Sequence, residues 1–70
     1  MEDKMFLEEM SNLLETEKAL SMEMPLEELE EWDSLAQVSF LTIMSDYASK
    51  DIEPQAVRTA ITIRDLYHLL

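Results

Sequence analysis

The stretch Glu30-Glu31-Trp32-Asp33-Ser34-Leu35-Ala36-Gln37 is where residue types and spacing most invite chemistry. Ser34 and Gln37 have the spacing of a capping box, and Asp33 adds negative charge where a helix would begin. A serine at the N-cap of a long helix is exposed, and free backbone N–H groups point towards whatever is attached to it. A phosphodiester on that oxygen would sit at the positive end of the helix dipole. The acid just before it could help hold the divalent cation of a modifying enzyme. Attachment at Ser34 is thus physically allowed but not required. A plain helix cap is the simpler account of the same residues.

Enzyme constellations are absent from the rest of the chain. There is no cysteine, and His68 is a lone histidine without a partner for a metal site. Without glycine there is no glycine-rich phosphate loop. Most of the carboxylates of so short a chain must lie in water, where they stay ionised and have no acid–base role. Five of the six methionines lie near the first predicted helix and the loop after it, as core fillers or a soft partner surface. The expectation is no catalytic residue and no metal site.

Seventy residues make a single domain, residues 1–70, that is too short to enclose a deep active site. With 47% hydrophobic residues and no disulfides, apolar packing alone must hold it together. No run approaches the ~18 apolar residues of a membrane span. The opening Met1-Glu2-Asp3-Lys4-Met5 lacks the basic-then-apolar pattern of a secretory signal. The expectation is a soluble cytoplasmic protein without membrane insertion, most simply a monomer. Sixteen acids against five bases give a net charge of −11, which repels nucleic acid and favours partners with basic patches. Residues 1–33 carry twelve acids and two bases, whereas residues 34–70 carry four and three. The negative charge therefore stops beside Ser34.

With only Pro25 and Pro54 as breakers, the chain reads as an all-α four-helix bundle: two long helices, one very short and one short. The first helix is predicted from about Asp3, as N-cap, to about Leu20. Its stripe is Phe6, Met10, Leu13 and Leu20, widened by Leu7 and Leu14. Ser21 to Asp33 is a connection docked by Leu26, Leu29 and Trp32, the last as the largest anchor. The second helix is predicted from Ser34 to about Ala48 or Ser49. Leu35, Val38, Leu41 and Ala48 form its stripe, with Ile43, Met44 and Tyr47 beside it. A turn at Lys50-Asp51-Ile52 points Ile52 inward. Pro54 opens a short helix to about Thr59. Thr62, with Asp65 three residues on, caps a last helix whose inner face is Ile63, Leu66 and Leu69 or Leu70.

Over almost its full length the chain resembles the acyl carrier protein family. Asp33-Ser34-Leu35 looks like that family's phosphopantetheine-attachment motif, and Trp32 ahead of it is similar to stand-alone carriers of specialised pathways. Leu26, Leu29 and Trp32 resemble the hydrophobic approach to the motif. Val38, Leu41, Ile52, Thr62-Ile63, Asp65-Leu66 and Leu69-Leu70 fall at family-like intervals after it. The resemblance implies that a phosphopantetheinyl transferase would esterify Ser34 with 4'-phosphopantetheine from coenzyme A, Asp33 being required and Leu35 completing the motif. The arm's thiol would carry an acyl or aminoacyl group as a thioester, and cargo could enter between apolar helix faces. An inner stripe of the second helix without large aromatics is compatible with that.

Departures from the family pattern are equally concrete. The second helix has one clear acid, Asp46, and is expected to expose Ser39, Thr42 and Ser45. Glu30-Glu31 replaces the usual glycine, Arg58 stands where acids are typical, and Tyr47 lies one position early. Docking on loading and acceptor enzymes with basic patches is therefore expected at Glu27, Glu28, Glu30, Glu31 and Val38, away from fatty-acid synthesis partners. The competing expectation is an unmodified acidic adaptor that binds a basic or apolar groove through its first helix and loop.

Overall fold

A computed structural model describes all 70 residues. Four helices follow in order: α1 (Asp3–Leu14), α2 (Ser34–Met44), α3 (Pro54–Thr59) and α4 (Ile63–Tyr67), with a 3₁₀ turn at Leu26–Glu28 inside the α1–α2 connection. No strand forms, and the only sheet-like pairing is an isolated bridge between Pro25 and Thr62. The molecule measures 29 × 24 × 19 Å. The fold is all-α with helices of 12, 11, 6 and 5 residues. No helix is long and apolar enough to cross a membrane.

Twelve buried side chains, all apolar, make one core. Aromatic rings run through it as a chain of edge-on contacts. Tyr67 meets Phe6 at 5.1 Å, Phe6 meets Phe40 at 6.4 Å, and Phe40 meets Trp32 at 6.0 Å between centroids. Edge-to-face geometry is what ring quadrupoles favour. It links α4, α1, α2 and the end of the long connection.

The first helix ends earlier than the hydrophobic spacing predicts, at Leu14 rather than Leu20. Glu15 adopts a left-handed conformation (φ 53°, ψ 43°). Its N–H donates to Asn12 C=O, and that of Thr16 donates to Ser11 C=O. This is a Schellman stop, usually marked by glycine. Here glutamate occupies it, so the sequence carries no obvious signal. Leu20 still packs on the core, but from the connection. Glu2 is the N-cap in place of Asp3, without a side-chain cap bond, and Asp3 lies in the first turn.

The second helix differs twice from expectation. It stops at Met44 instead of Ala48 or Ser49. Near its end Thr42 Oγ1 donates to Val38 C=O and Ser45 Oγ to Thr42 C=O, hydroxyl bonds that compete with helix continuation. Its buried stripe is also different: Ala36, Phe40 and Met44 face the core, while Leu35 is 76% exposed and Val38 59% exposed. Apolar residues surround much of this helix, so helical spacing alone accommodates more than one stripe. Phe40 is fully buried, so the expected absence of large aromatics from the inner stripe is wrong. Cargo room along that stripe loses its argument.

The remaining elements match, except that α4 ends at Tyr67, so Leu69 and Leu70 pack against the core from beyond the helix. The connection folds as a 3₁₀ turn that buries Leu26 and Leu29, while Trp32 is half-buried. Ile52 packs against the core. Pro54 opens α3, and the Thr62–Asp65 capping box opens α4 with Ile63 and Leu66 buried. Three backbone bonds pin the connection to the α3–α4 junction and the start of α4, among them Arg64 N–H donating to Met22 C=O at 2.8 Å. Leu26 N–H donates to Ile61 C=O at 2.8 Å, and Ile63 N–H donates to Met24 C=O at 3.1 Å.

Candidate functional site

The start of α2 is held by Asp33, not by Ser34. Asp33 is the N-cap, and its Oδ1 accepts a hydrogen bond from Ala36 N–H at 2.9 Å. Its C=O accepts the helical bond from Gln37 N–H at 3.0 Å. The expected Ser34–Gln37 capping box therefore does not form. An aspartate one residue earlier already has the extended backbone and the carboxylate that a cap requires. Ser34 becomes the first helical residue: exposed, with its Oγ in no hydrogen bond within the chain. The shift frees the hydroxyl from structural work.

Helical geometry sends these neighbours to opposite sides. On one side a groove of about 180 Å³ between α2 and α3 is lined by Ser34, Gln37, Val38, Leu41, Pro54, Val57 and Arg58. Positions 34, 37, 38 and 41 share one helix face at the i, i+3, i+4, i+7 spacing. On the other side Asp33 and Leu35 border a groove of about 440 Å³ that also contains Glu15 and Glu31. The largest groove, about 550 Å³, lies near the far end of α2 around Ser45, Ser49 and Lys50, and Ser34 does not line it.

Glu27, Glu28 and Glu30 are exposed on the connection just before the site. Glu31 is half-buried and reaches Lys18 Nζ at 3.4 Å. Its own backbone N–H first, and Thr16 and Lys18 to a lesser extent, hold its carboxyl below the usual range. Glu23 is likewise held down by Arg64, 2.7 Å away. The expected docking set thus contains three free carboxylates and one that is partnered. Val38 is exposed as a docking role requires, though it sits on the Ser34 side of α2.

Glu15, Gln37 and Arg58 were not among the expected site residues. Glu15 joins the acidic groove only because α1 stops there, which the sequence does not signal. Gln37 reads from the sequence as a capping partner, although its three-residue spacing from Ser34 also places it on the same face. Arg58 stood out only by its charge. No group of three or more His, Cys, Asp or Glu side chains is arranged to hold a metal ion. His68 is exposed at the end of α4.

The arrangement offers an accessible, unengaged serine hydroxyl at the head of a helix, with a neutral-to-basic groove on one side and an acidic one on the other. Such a hydroxyl is available for covalent modification by another protein. Compared with known protein families, curated proteins and solved structures, the chain shows no significant match.

Proposed function

We propose that this chain is a carrier protein, with Ser34 as the attachment point for a 4'-phosphopantetheine arm. The observation that carries the reading is the state of Ser34 itself. Within Asp33-Ser34-Leu35 the aspartate closes the helix, so the serine hydroxyl is exposed and unbonded. The residues present fit such a group: a free hydroxyl at the helix head, an exposed Leu35 beside it and an adjoining groove with Gln37, Val38 and Arg58. The arm, when bound, supplies a thiol that carries an acyl or aminoacyl group as a thioester.

The chain's own residues have three roles in this reading. Asp33 holds the start of α2 in shape and supplies the acid on the residue before Ser34 for recognition by a phosphopantetheinyl transferase. Leu35 and Val38, exposed on either flank, offer apolar contacts to that transferase and to loading and acceptor enzymes. Glu27, Glu28 and Glu30 steer basic patches of those enzymes towards Ser34. The protein delivers its cargo and transforms nothing itself, as a four-helix carrier of a specialised pathway.

Co-expression with a broad-specificity phosphopantetheinyl transferase tests this. Wild type should gain one phosphopantetheine-sized increment in intact mass, and Ser34→Ala none. An unchanged wild-type mass would leave the second reading, an unmodified acidic adaptor. The exposed Leu35 and Val38 behind an acidic connection also favour that reading.

A further inference from the structure

Five basic side chains serve a chain of net charge −11. Lys18 and Arg64 are each spent on an acid, Glu31 and Glu23. Arg58 is not. It is exposed on α3, and its Nη2 donates at 2.6 Å to Gln55 Oε1 one helical turn back, a neutral partner that leaves the charge uncompensated. The groove it lines contains Ser34 and no carboxylate. The acids nearest in sequence to Ser34 lie elsewhere: Asp33 and Glu31 border the groove on the opposite side of α2. In a strongly acidic molecule, the side of Ser34 facing α3 is therefore locally basic.

We propose that Arg58, braced by Gln55, holds the phosphodiester introduced when Ser34 is modified, with the Gln37 amide as a second donor from the same groove. The inference rests on the carrier reading above. A phosphodiester carries one negative charge, and a guanidinium presents several N–H donors in a planar fork suited to it. The phosphorus is bonded to Ser34 Oγ itself, so the anion must form at the mouth of the groove that Arg58 lines. Arg58 is a positioning residue. It fixes the root of the arm on the α2–α3 side and leaves the acidic α1 side clear for partners.

The test uses holo protein made by co-expression, with intact mass first establishing that each sample is modified. Phosphorus-31 NMR then reads the diester directly in wild type, Arg58→Gln, Arg58→Lys and Lys50→Gln. The same holo protein unfolded in guanidinium gives the position of a free diester. The folded wild-type resonance should be displaced from the free position, and 0.5 M NaCl should move it most of the way back. Arg58→Gln should lie near the free position, Arg58→Lys between the two, and Lys50→Gln with wild type. Coincidence of wild type with Arg58→Gln, or an equal effect of Lys50→Gln, would overturn the role of Arg58 while leaving the carrier reading intact. A wild-type chain that gains no mass would remove both.

Discussion

At the head of α2 two adjacent side chains divide the work: Asp33 accepts from Ala36 N–H, and Ser34 is left with an exposed hydroxyl and no partner. The division has a measurable consequence. Asp33→Ala should lower stability by about 0.5–2 kcal/mol, the usual cost of removing an N-cap. Ser34→Ala should stay within about 0.5 kcal/mol of wild type in urea unfolding, as an exposed substitution outside any structural contact. The reverse order would mean that serine is the cap after all. The tripeptide was legible as a helix start from its residue types, but which of the two residues caps was not. Both aspartate and serine are good N-caps, and one residue of register decides between them.

Among the elements, α3 and α4 are readable in the sequence because their signals are local. Pro54 has the fixed φ of a first helical residue, and Thr62 with Asp65 closes both bonds of a capping box. The ends of α1 and α2 are not, because nothing local marks them. Glu15 in a left-handed conformation stops α1 where glycine would be expected. Replacing it should therefore reveal the stop. Glu15→Gly should raise stability by about 0.5–1 kcal/mol by relieving the left-handed penalty, whereas Glu8→Gly within the helix should cost about 1 kcal/mol. Equal losses at both positions in denaturant titrations would argue that α1 continues through Glu15.

The capping box of α4 also titrates. Backbone N–H groups of Thr62 and then Ile61 hold the Asp65 carboxyl below its ordinary value. Asp65 therefore binds its proton more weakly in the folded chain than in the unfolded one. Its contribution to stability is fully present above about pH 4, the unfolded value, and is lost as pH falls through the folded one. Wild type should melt above Asp65→Asn at pH 7, and the gap should close as the pH falls below the unfolded carboxyl value. A gap independent of pH would show that the carboxylate charge does not matter to the cap.

On the scale of the molecule, the buried core and the charge distribution do separate things. The core is a continuous aromatic and aliphatic cluster, with Phe6 and Phe40 fully enclosed, and it fixes α1, α2 and α4 around the site. Its membership was only half legible, because α2 is apolar on several faces and the choice of Ala36, Phe40 and Met44 over Leu35 and Val38, with Leu41 half-buried beside them, is made by packing. The charge split at Ser34 was plain from composition, and the structure adds that Glu27, Glu28 and Glu30 are exposed while Glu31 is tied to Lys18. Neutralising Glu27, Glu28, Glu30 and Glu31 together should slow association with the transferase about tenfold or more at low salt, and Asp46→Asn should change it little. Equal effects in stopped-flow measurements would place docking elsewhere.

The central claim concerns one oxygen atom, Ser34 Oγ. Tryptic cleavage after Lys18 and Lys50 releases residues 19–50, which contain Ser21, Ser34, Ser39, Ser45 and Ser49. After reaction with coenzyme A and a broad-specificity phosphopantetheinyl transferase, fragmentation of that peptide should place a single phosphopantetheine on Ser34 and on none of the other four. An unmodified peptide, or an adduct on any other serine, would contradict the account.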